Sequence, residues 1–348
     1  MNSLGTSSRM NVAIRLDCNS QVGAGHLSRC LVLAEEVKRR QGEVIFLISE
    51  ISEASWIKDA GYEFRRIDSS SEDYSAVHPH DWLVIDHYRL DARVEIQVSK
   101  AFSKVMVIDD LANRNHTCDL LLDHNAYLNP EHRYQNKIRP RRERIELLAG
   151  PQYALIRHEV LLCRENRIQG REKVIPDQIW VNFGGGDTGF VTLHVLQAIR
   201  LVRPNARLKI LVTESSSYRK EIQQLVTEMN GSLFGKLKHP ELEMRDCVLA
   251  IGGGGVSALE RACLGIPSFV ISMADNQNEI CTDLSKQGVV SYFGDFTRIE
   301  KEFPYLVERL QIFFDTFETT QADMADRGIQ LVDGLGVKRV VDKMEICL

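Results

Sequence analysis

Several motifs that would mark a metal site or a common cofactor site are missing from the sequence. The ten histidines are scattered, the eight cysteines form no Cys-x-x-Cys pair, and no His-x-x-x-His pair or Cys/His cluster occurs, so a zinc site is not indicated. A Walker loop and a Gly-x-Ser-x-Gly elbow are also absent. We therefore predict no metal and no cofactor. The cysteines lie mostly in apolar surroundings, and we interpret them as reduced, buried thiols.

Long apolar runs and a surplus of one charge are equally lacking. No apolar stretch approaches the length that spans a bilayer, and residues 1–10 are too polar for the core of a signal peptide. The net charge is -5 with both signs interspersed, and the one basic run, residues 139–144, is interrupted by proline and glutamate. These features argue against nucleic-acid and membrane partners. We expect a cytoplasmic monomer whose 348 residues form two domains.

The first motif that is present has the pattern of a strand, a glycine-containing loop and a helix. Residues 12–16 are a short apolar run rich in β-branched side chains, which is typical of a strand. The loop that follows contains Gly23 and Gly25, and from Leu27 onward apolar residues recur at helical spacing. Such a loop places backbone N–H groups and a helix N-terminus at the carboxyl edge of a sheet, where α/β proteins bind phosphorylated ligands. His26 stands at the start of this helix and is expected to point into the site. A plain turn beside a surface histidine explains the same residues equally well, and the spacing is not that of a dinucleotide fingerprint.

Three later apolar strands, near residues 82–86, 105–108 and 120–122, are each followed by Asp, His or Asn side chains. In a parallel sheet these strand ends meet at one edge, and ligands bind at that edge. The sequence therefore predicts a polar site at the carboxyl ends of the first sheet.

The second half repeats this architecture and carries two glycine-rich loops, residues 184–189 and 252–257, each between a strand and a helix. Glycines let the backbone approach phosphate oxygens, so the loops indicate a diphosphate ligand; a tight strand-to-helix turn remains the alternative for both. Glu260 lies a few residues into the following helix, where a carboxylate suits a ribose diol or simply an exposed helix surface. Asn276 and Gln277 begin a later helix, where amides either cap the helix or reach sugar hydroxyls.

We predict two Rossmann-like, doubly wound α/β domains that face a central cleft. The N-terminal domain is expected over residues 11–160 and the C-terminal domain over 176–325, with a final helical segment, 326–348, packing back on the N-terminal domain. Residues 164–178 are charged enough to be an interdomain linker. The helical pattern of the last fifty residues is expected to break near Gly328 and at residues 334–336.

Several short segments, taken in chain order, carry a resemblance to a known family. They are residues 21–26 (QVGAGH), 29–31 (RCL), 85–91 (IDHYRLD), 107–112 (VIDDLA), 118–123 (CDLLLD), 150–157 (GPQYALIR), 183–187 (FGGGD), 265–267 (GIP) and 274–277 (ADNQ). This combination resembles the UDP-sugar hydrolases of bacterial pseudaminic acid biosynthesis. The resemblance covers the chain from about residue 11 to residue 290.

The resemblance implies a GT-B fold like that of the MurG-type glycosyltransferases, with UDP held mainly by the second domain. It implies hydrolysis of UDP-2,4-diacetamido-2,4,6-trideoxy-β-L-altropyranose to UDP and the free sugar, by attack of water at the anomeric carbon. His26 matches the family's essential histidine and would be the general base. Glu260 matches the position expected at the ribose, and Asn276 and Gln277 match the pair expected near the sugar.

The candidate site then has two catalytic residues, His26 and Tyr88, the latter orienting the water or the sugar. The substrate-binding residues that we expect are Arg15, Asp17, Gly23, Gly25, Asp86, Asn125, Gly185, Gly186, Gly254, Ser257, Glu260, Asn276 and Gln277. The nearest alternative function is a GT-B glycosyltransferase that uses a UDP-sugar donor. A UDP-sugar epimerase and a non-enzymatic nucleotide-sugar binder are the others.

Overall fold

The computed structural model describes residues 9–16, 25–49, 54–68, 74, 77, 80–98 and 101–348. They form two compact α/β units. The first contains the described residues up to 125 together with 129–155 and 335–348, and the second contains 126–128 and 156–334.

The first unit is built on parallel strands with helices between them. Its strands are β1 (Asn11–Leu16), β2 (Glu43–Ile48), β3 (Glu63–Arg66), β4 (His80–Asp86), β5 (Phe102–Ile108), β6 (His116–Cys118), β7 (Leu120–Asp123), β8 (Ile138–Pro140) and β9 (Glu146–Ala149). Its first helices are α1 (Gly25–Arg39), α2 (Ala54–Asp59) and α3 (Ala92–Val98). Across the described residues the main sheet has the order β3-β2-β1-β4-β5-β7-β9, while β6 pairs with β8.

Both faces of this sheet are covered, which is why its strands are apolar almost without interruption. Val12, Ile14 and Leu16 of β1 pack into one core with α1, whereas Ala13 packs into a second core on the other face. Alternate side chains of a strand therefore reach two separate hydrophobic cores. The same alternation decides which polar residues meet at the strand ends.

The second unit has a six-stranded parallel sheet. Its strands are β10 (Ile175–Asn182), β11 (Arg207–Leu211), β12 (Ser232–Phe234), β13 (Cys247–Gly253), β14 (Ser268–Ser272) and β15 (Val290–Asp295). Its helices are α4 (His158–Ile168), α5 (Gly189–Val202), α6 (Arg219–Glu228), α7 (Pro240–Met244), α8 (Val256–Cys263), α9 (Asp275–Lys286), α10 (Arg298–Lys301) and α11 (Phe303–Leu331). The strand order β12-β11-β10-β13-β14-β15 is that of a doubly wound Rossmann fold.

The prediction of a linker over residues 164–178 is wrong. Residues 164–168 complete α4, and 175–178 begin β10. The charges that suggested a linker are used inside the fold: Arg164 Nη1 donates to the carbonyl of Cys263 at 2.6 Å, and Arg167 Nε donates to the carbonyl of Leu264 at 3.0 Å. The two guanidinium groups thus satisfy carbonyls that the end of α8 leaves without intrahelical partners.

The predicted break near Gly328 is also wrong, because α11 runs through this residue without interruption. A Cβ atom at Gly328 would lie 2.9 Å from the carbonyl oxygen of Ala262, so this glycine permits close packing of α11 against α8. The chain leaves the helix only after Leu331, and the second predicted break, at residues 334–336, is confirmed because the next helix begins at Gly336. The last helix, α12 (Gly336–Cys347), is part of the first unit and packs against α1.

The cysteines that the structure describes are all free, and all except Cys347 are buried. The prediction of buried, unpaired thiols is confirmed for the described cysteines other than Cys347. In the part of the chain that is described, no helix combines the length and the apolar character needed to cross a membrane.

Candidate active site

The carboxyl ends of β4, β5 and β7 bring one group of polar residues to the side of the sheet that α1 covers. Asp86 lies beside Ile108, and Ile108 lies beside Leu122. Ile108 and Leu122 pack in the core beneath α1. Since side chains alternate along a strand, Asp86 shares this face, and Asp110 and His124 fall on it if the alternation continues past the strand ends. This placement agrees with the contact between Arg29 of α1 and Asp110, and with the effect of the Arg29 charge on the pKa of His124.

Asp86 is the centre of the group. Its carboxylate accepts hydrogen bonds from His26 Nδ1 at 2.6 Å, from Arg29 Nε at 2.6 Å and from Arg29 Nη2 at 2.5 Å. Asp86 is completely buried, and burial alone would raise the pKa of its carboxyl; the charge of Arg29, with the hydrogen bonds that Arg29 and His26 donate, outweighs burial and holds this pKa well below its usual range. Asp86 is therefore an anion at neutral pH.

This arrangement selects one tautomer of His26. A carboxylate only accepts hydrogen bonds, so the contact with Asp86 places the imidazole proton on Nδ1 and leaves a lone pair on Nε2. His26 Nε2 is buried and has no hydrogen-bond partner among the described residues. A histidine with an anionic partner on Nδ1 and an unpartnered Nε2 has the geometry of a general base.

Tyr88 lies directly against this histidine. The two rings meet edge to face, with their centroids 4.4 Å apart, and the Tyr88 hydroxyl donates to Asp110 Oδ2 at 3.4 Å. Burial, with the nearby charge of Asp110, raises the pKa of the Tyr88 phenol, so it keeps its proton at neutral pH. The structure thus brings together the two residues that the sequence analysis named as catalytic.

Arg29 and Asp110 belong to the same group and were not predicted as site residues. Arg29 Nη1 donates to Asp110 Oδ2 at 3.0 Å, so one guanidinium bridges the ends of β4 and β5. Arg29 stands three residues after His26 in α1, and residues at this spacing share a helix face. That spacing, together with the Asp pair at residues 109–110, is the sequence signal that could have found them.

His124 is a second buried histidine of this face. Its Nδ1 accepts a hydrogen bond from the backbone N–H of Leu155 at 3.2 Å. Burial, with the positive charge of Arg29, lowers the pKa of His124 to about 4, so this imidazole is neutral under physiological conditions. In the sequence, His124 is recognisable only as one of the polar residues that follow a strand.

On the opposite face of the same edge lies a separate buried network. His116 Nδ1 contacts Glu95 Oε1 at 2.6 Å, its Nε2 lies 3.6 Å from Asp109 Oδ2, and Tyr134 donates to the Asp109 carbonyl at 2.9 Å. Burial opposes the charge on His116, but Asp109 and Glu95 outweigh it and raise the His116 pKa to about 9. This network fixes the end of β5 from the side away from α1.

The remaining predicted residues of the first unit are placed as follows. Arg15 alternates with the α1-facing residues of β1, and its Nη1 donates to the carbonyl of Leu16 at 2.9 Å, so the structure does not bring it to the His26 group. Asn125 follows β7 and donates through Nδ2 to Asp123 Oδ1 at 2.9 Å. Gly25 is the exposed first residue of α1. Asp17 and Gly23 lie outside the described residues.

In the second unit, an aspartate of the loop after β10 is hydrogen-bonded to the loop after β11. Asp187 accepts hydrogen bonds from the hydroxyls of Ser216 at 2.8 Å and Ser217 at 2.7 Å, and these bonds lower the pKa of its carboxyl. Gly185 and Gly186 are exposed at the tip of this loop. Their backbone is therefore accessible to a ligand.

The end of β13 and the loop after it are packed more tightly, and packing itself accounts for Gly252 in the strand and Gly254 in the loop. A Cβ atom at Gly252 would lie 2.3 Å from the carbonyl oxygen of Asn182, and one at Gly254 would lie 2.0 Å from Cys281 Sγ. Neither distance is sterically possible without movement of the neighbours. The strand-to-helix turn thus explains these glycines by packing, and it also leads directly into the N-terminus of α8.

Two predicted residues of α8 and α9 lie close to this loop. Gln277 Oε1 accepts from the backbone N–H of Met273, just ahead of α9, at 3.0 Å, and its Nε2 lies next to Gly255. Ser257 Oγ, in the first turn of α8, accepts from Arg261 Nη1 at 3.2 Å. Asn276 is half-buried at the start of α9. The structure therefore gathers Gly254, Ser257 and Gln277 around one loop.

Glu260 is held by an arginine that sequence reasoning did not identify. Arg157 Nε donates to Glu260 Oε1 at 2.8 Å, and Arg157 Nη1 donates to Glu241 Oε2 at 2.8 Å. Burial opposes the charge on Arg157, but Glu260 and Glu241 outweigh it and raise the Arg157 pKa. Glu260 is thus an ion-paired, mostly buried carboxylate and not the exposed helix residue of the alternative interpretation.

The fold and these two groups of residues define a class of protein. The chain resembles the crystal structure of Acinetobacter baumannii MurG with a TM-score of 0.64, over 97% of this chain and 99% of that chain, at 12% sequence identity. This likeness shows the fold: the protein has the GT-B-like α/β fold with two Rossmann-like domains, as predicted. The predicted central cleft stays a prediction.

Sequence comparison leads to particular relatives. An uncharacterized protein of Methanocaldococcus jannaschii is 22% identical over 288 residues, which are 80% of this chain and only 59% of that protein's length. The UDP-2,4-diacetamido-2,4,6-trideoxy-beta-L-altropyranose hydrolase of Campylobacter jejuni is 25% identical over 287 residues, which are 80% of this chain and 97% of the hydrolase. The predicted resemblance is confirmed as a similarity in sequence. No protein-family profile matches the chain.

Proposed function

We propose that this protein is an enzyme that acts on a UDP-sugar, and that it hydrolyses a UDP-diacetamido-trideoxy sugar of the altropyranose type to UDP and the free sugar. The observation that carries the proposal is His26, whose Nδ1 is held by the buried anion Asp86 while its buried Nε2 has no partner among the described residues. The similarity to the Campylobacter jejuni hydrolase supports the substrate class.

In the proposed reaction, a water molecule donates a hydrogen bond to His26 Nε2. Nε2 takes a proton from the water as its oxygen forms a bond to the anomeric carbon, and the bond from that carbon to the diphosphate oxygen breaks. The electron pair leaves with UDP. Asp86 stabilises the imidazolium that forms, and Arg29 keeps Asp86 ionised. Tyr88, protonated and in contact with the His26 ring, orients the water or the sugar.

The nucleotide is assigned to the second unit. Backbone N–H groups at the exposed glycines 185–186 and at the start of α8 are suited to the diphosphate. Gln277 stands beside the loop that leads into α8. Arg157 holds Oε1 of Glu260, and we assign the second carboxylate oxygen to the hydroxyls of the ribose. Asn276 is assigned to the sugar.

A glycosyltransferase is the second candidate, and the fold shared with MurG favours it. In that case His26 would take the proton of an acceptor hydroxyl in place of water. The two reactions differ in their products when no acceptor is present, because only hydrolysis then releases UDP and free sugar at the full catalytic rate.

The test is UDP release from the diacetamido-trideoxy UDP-sugar, with EDTA present and without an acceptor. We expect rapid release by the unaltered protein, a decrease of about 10²–10⁴-fold in His26→Ala, and no decrease in His132→Ala, which changes an exposed histidine of the same unit. No release by the unaltered protein, despite tight UDP binding, would rule out the hydrolase and lead to acceptor screens. NMR of the first-formed sugar anomer is expected to show inversion, and retention would contradict direct attack by water.

A further inference from the structure

The second unit buries an arginine directly behind the loop that leads into α8. Arg261 is completely buried. Its guanidinium donates from Nη2 to the carbonyl of Gly253 at 2.7 Å, from Nη1 to Ser257 Oγ at 3.2 Å and from Nε to Ser268 Oγ at 3.1 Å. These acceptors are neutral, so the guanidinium is hydrogen-bonded but its charge is not balanced by them.

No ion pair of Arg261 occurs among the residues that the structure describes. The neighbouring Glu260 contributes a favourable charge, but its carboxylate is hydrogen-bonded to Arg157. Burial therefore prevails and lowers the Arg261 pKa to about 10. Arg29 of the first unit is also buried, but it forms ion pairs with two carboxylates, and its pKa is raised. Buried charges in proteins are normally paired in this way.

The Arg261 guanidinium lies next to the backbone segment that is assigned to the diphosphate. A Cβ atom at Gly252 would lie 3.0 Å from Arg261 Nη1, so the guanidinium packs against the end of β13, immediately before the loop. Through Gly253 and Ser257 it also joins the last residue of β13 to the first turn of α8. The helix N-terminus and the guanidinium together concentrate positive potential at this loop.

We propose that Arg261 is the buried countercharge of the nucleotide site: a positioning residue that holds the loop between β13 and α8 and electrostatically favours the diphosphate of a nucleoside diphosphate bound there. The inference rests on the proposed function, because it takes the ligand class from it. Arg261 does not touch the ligand. Its effect is exerted across the backbone of the loop, so it must increase with the charge of the ligand and be absent for an uncharged nucleoside.

The experiment compares the binding of UDP, UMP and uridine to the full-length protein by calorimetry, for the unaltered chain and for Arg261→Gln. For one elementary charge on the ligand about 8 Å away, at an effective dielectric constant of about 20, the interaction corresponds to roughly 30-fold in affinity, and each further ligand charge adds to it. We expect a loss of at least about 30-fold for UDP, a smaller loss for UMP, and less than about twofold for uridine. Equal losses for all three ligands, or no loss for UDP, would overturn the inference, since a purely structural arginine would not distinguish ligands by charge.

A second variant keeps the test decisive if Arg261→Gln does not fold. In Arg261→Lys the charge is retained but becomes titratable, because burial lowers the pKa of a lysine. Between pH 7 and about 8.5 its UDP affinity should fall relative to the unaltered protein, while its uridine affinity follows the unaltered protein. Parallel behaviour of UDP and uridine would again overturn the inference. Failure of the unaltered chain to bind UDP would instead refute the proposed function.

Discussion

Replacement of Asp86 by asparagine tests whether one buried carboxylate both stabilises the first unit and fixes the tautomer of His26. The substitution keeps the shape but removes the charge that accepts from His26 and Arg29. Breaking a buried ion pair by removing one partner costs about 3–5 kcal/mol. Arg29 keeps a second carboxylate, Asp110, at 3.0 Å, so we expect the lower end, about 3 kcal/mol. For a unit of this size that is a decrease of roughly 6–12 °C in Tm.

The pH dependence of this loss has a defined sign. The pKa of Asp86 is lowered in the folded protein, so its contribution to stability is present above the unfolded pKa of about 4 and is lost as pH falls below it. The difference in unfolding free energy between the unaltered protein and Asp86→Asn should therefore be largest at neutral pH and decrease in acid. Urea denaturation at several pH values measures it.

The catalytic consequence of Asp86→Asn is separate from the loss of stability. An asparagine carries no charge to stabilise the imidazolium and no longer fixes the proton on His26 Nδ1. We expect kcat for UDP release to fall by about 10²–10⁴-fold at a temperature where the variant is folded. UDP binding, which is assigned to the second unit, should be unchanged.

The matched control is Asp119→Asn. Asp119 is also buried, and it accepts from Arg141 Nη1 at 2.9 Å and from the backbone N–H of Val105 at 2.8 Å, at the end of β7 away from the site. This variant should lose stability and keep its kcat. If folded Asp86→Asn released UDP within about threefold of the unaltered rate, the role given to Asp86 in catalysis would be refuted.

Two further predictions concern the ribose site and the network behind β5. Arg157→Gln and Glu260→Gln should each reduce the preference for UDP over 2′-deoxy-UDP by about tenfold, because each removes a charge-assisted contact from the proposed ribose site. Equilibrium binding of the two nucleotides measures this ratio of affinities. An unchanged ratio in Glu260→Gln would contradict the assignment of Glu260 to the ribose. His116, whose pKa is raised to about 9, should contribute stability below about pH 6.5 that is lost as pH rises towards 9. The unfolding free energy should change by about 3 kcal/mol over this range in the unaltered protein, and His116→Gln should lack this change. Urea denaturation at both ends of the range measures it, and equal pH dependence in the two proteins would count against a charged His116.

Much of the fold follows from local patterns along the chain. The apolar strands, the glycine-containing turns and the helical spacing of residues after Gly25 depend on neighbours a few positions apart, and the structure has these elements. Local patterns fail where a residue's partner is distant. Arg164 and Arg167 resemble linker charges in sequence, yet they bind carbonyls at the end of α8, about a hundred residues away. Gly328 resembles a helix breaker, yet it lies inside α11 where the backbone of Ala262 in α8 packs against it.

The candidate site divides in the same way. The sequence by itself determined that His26 begins a helix at the carboxyl edge of a parallel sheet and that Asp86 ends a neighbouring strand, because periodicity and strand ends are local properties. Only the tertiary structure decided that Asp86 faces His26 and Arg29 while Asp109 faces His116, since this depends on which side of the sheet each helix covers. It alone joined Arg157 to Glu260, 103 positions apart, and left the buried Arg261 without an ion pair among the described residues. Charge compensation is a property of packed neighbours in space, and sequence order does not encode it directly.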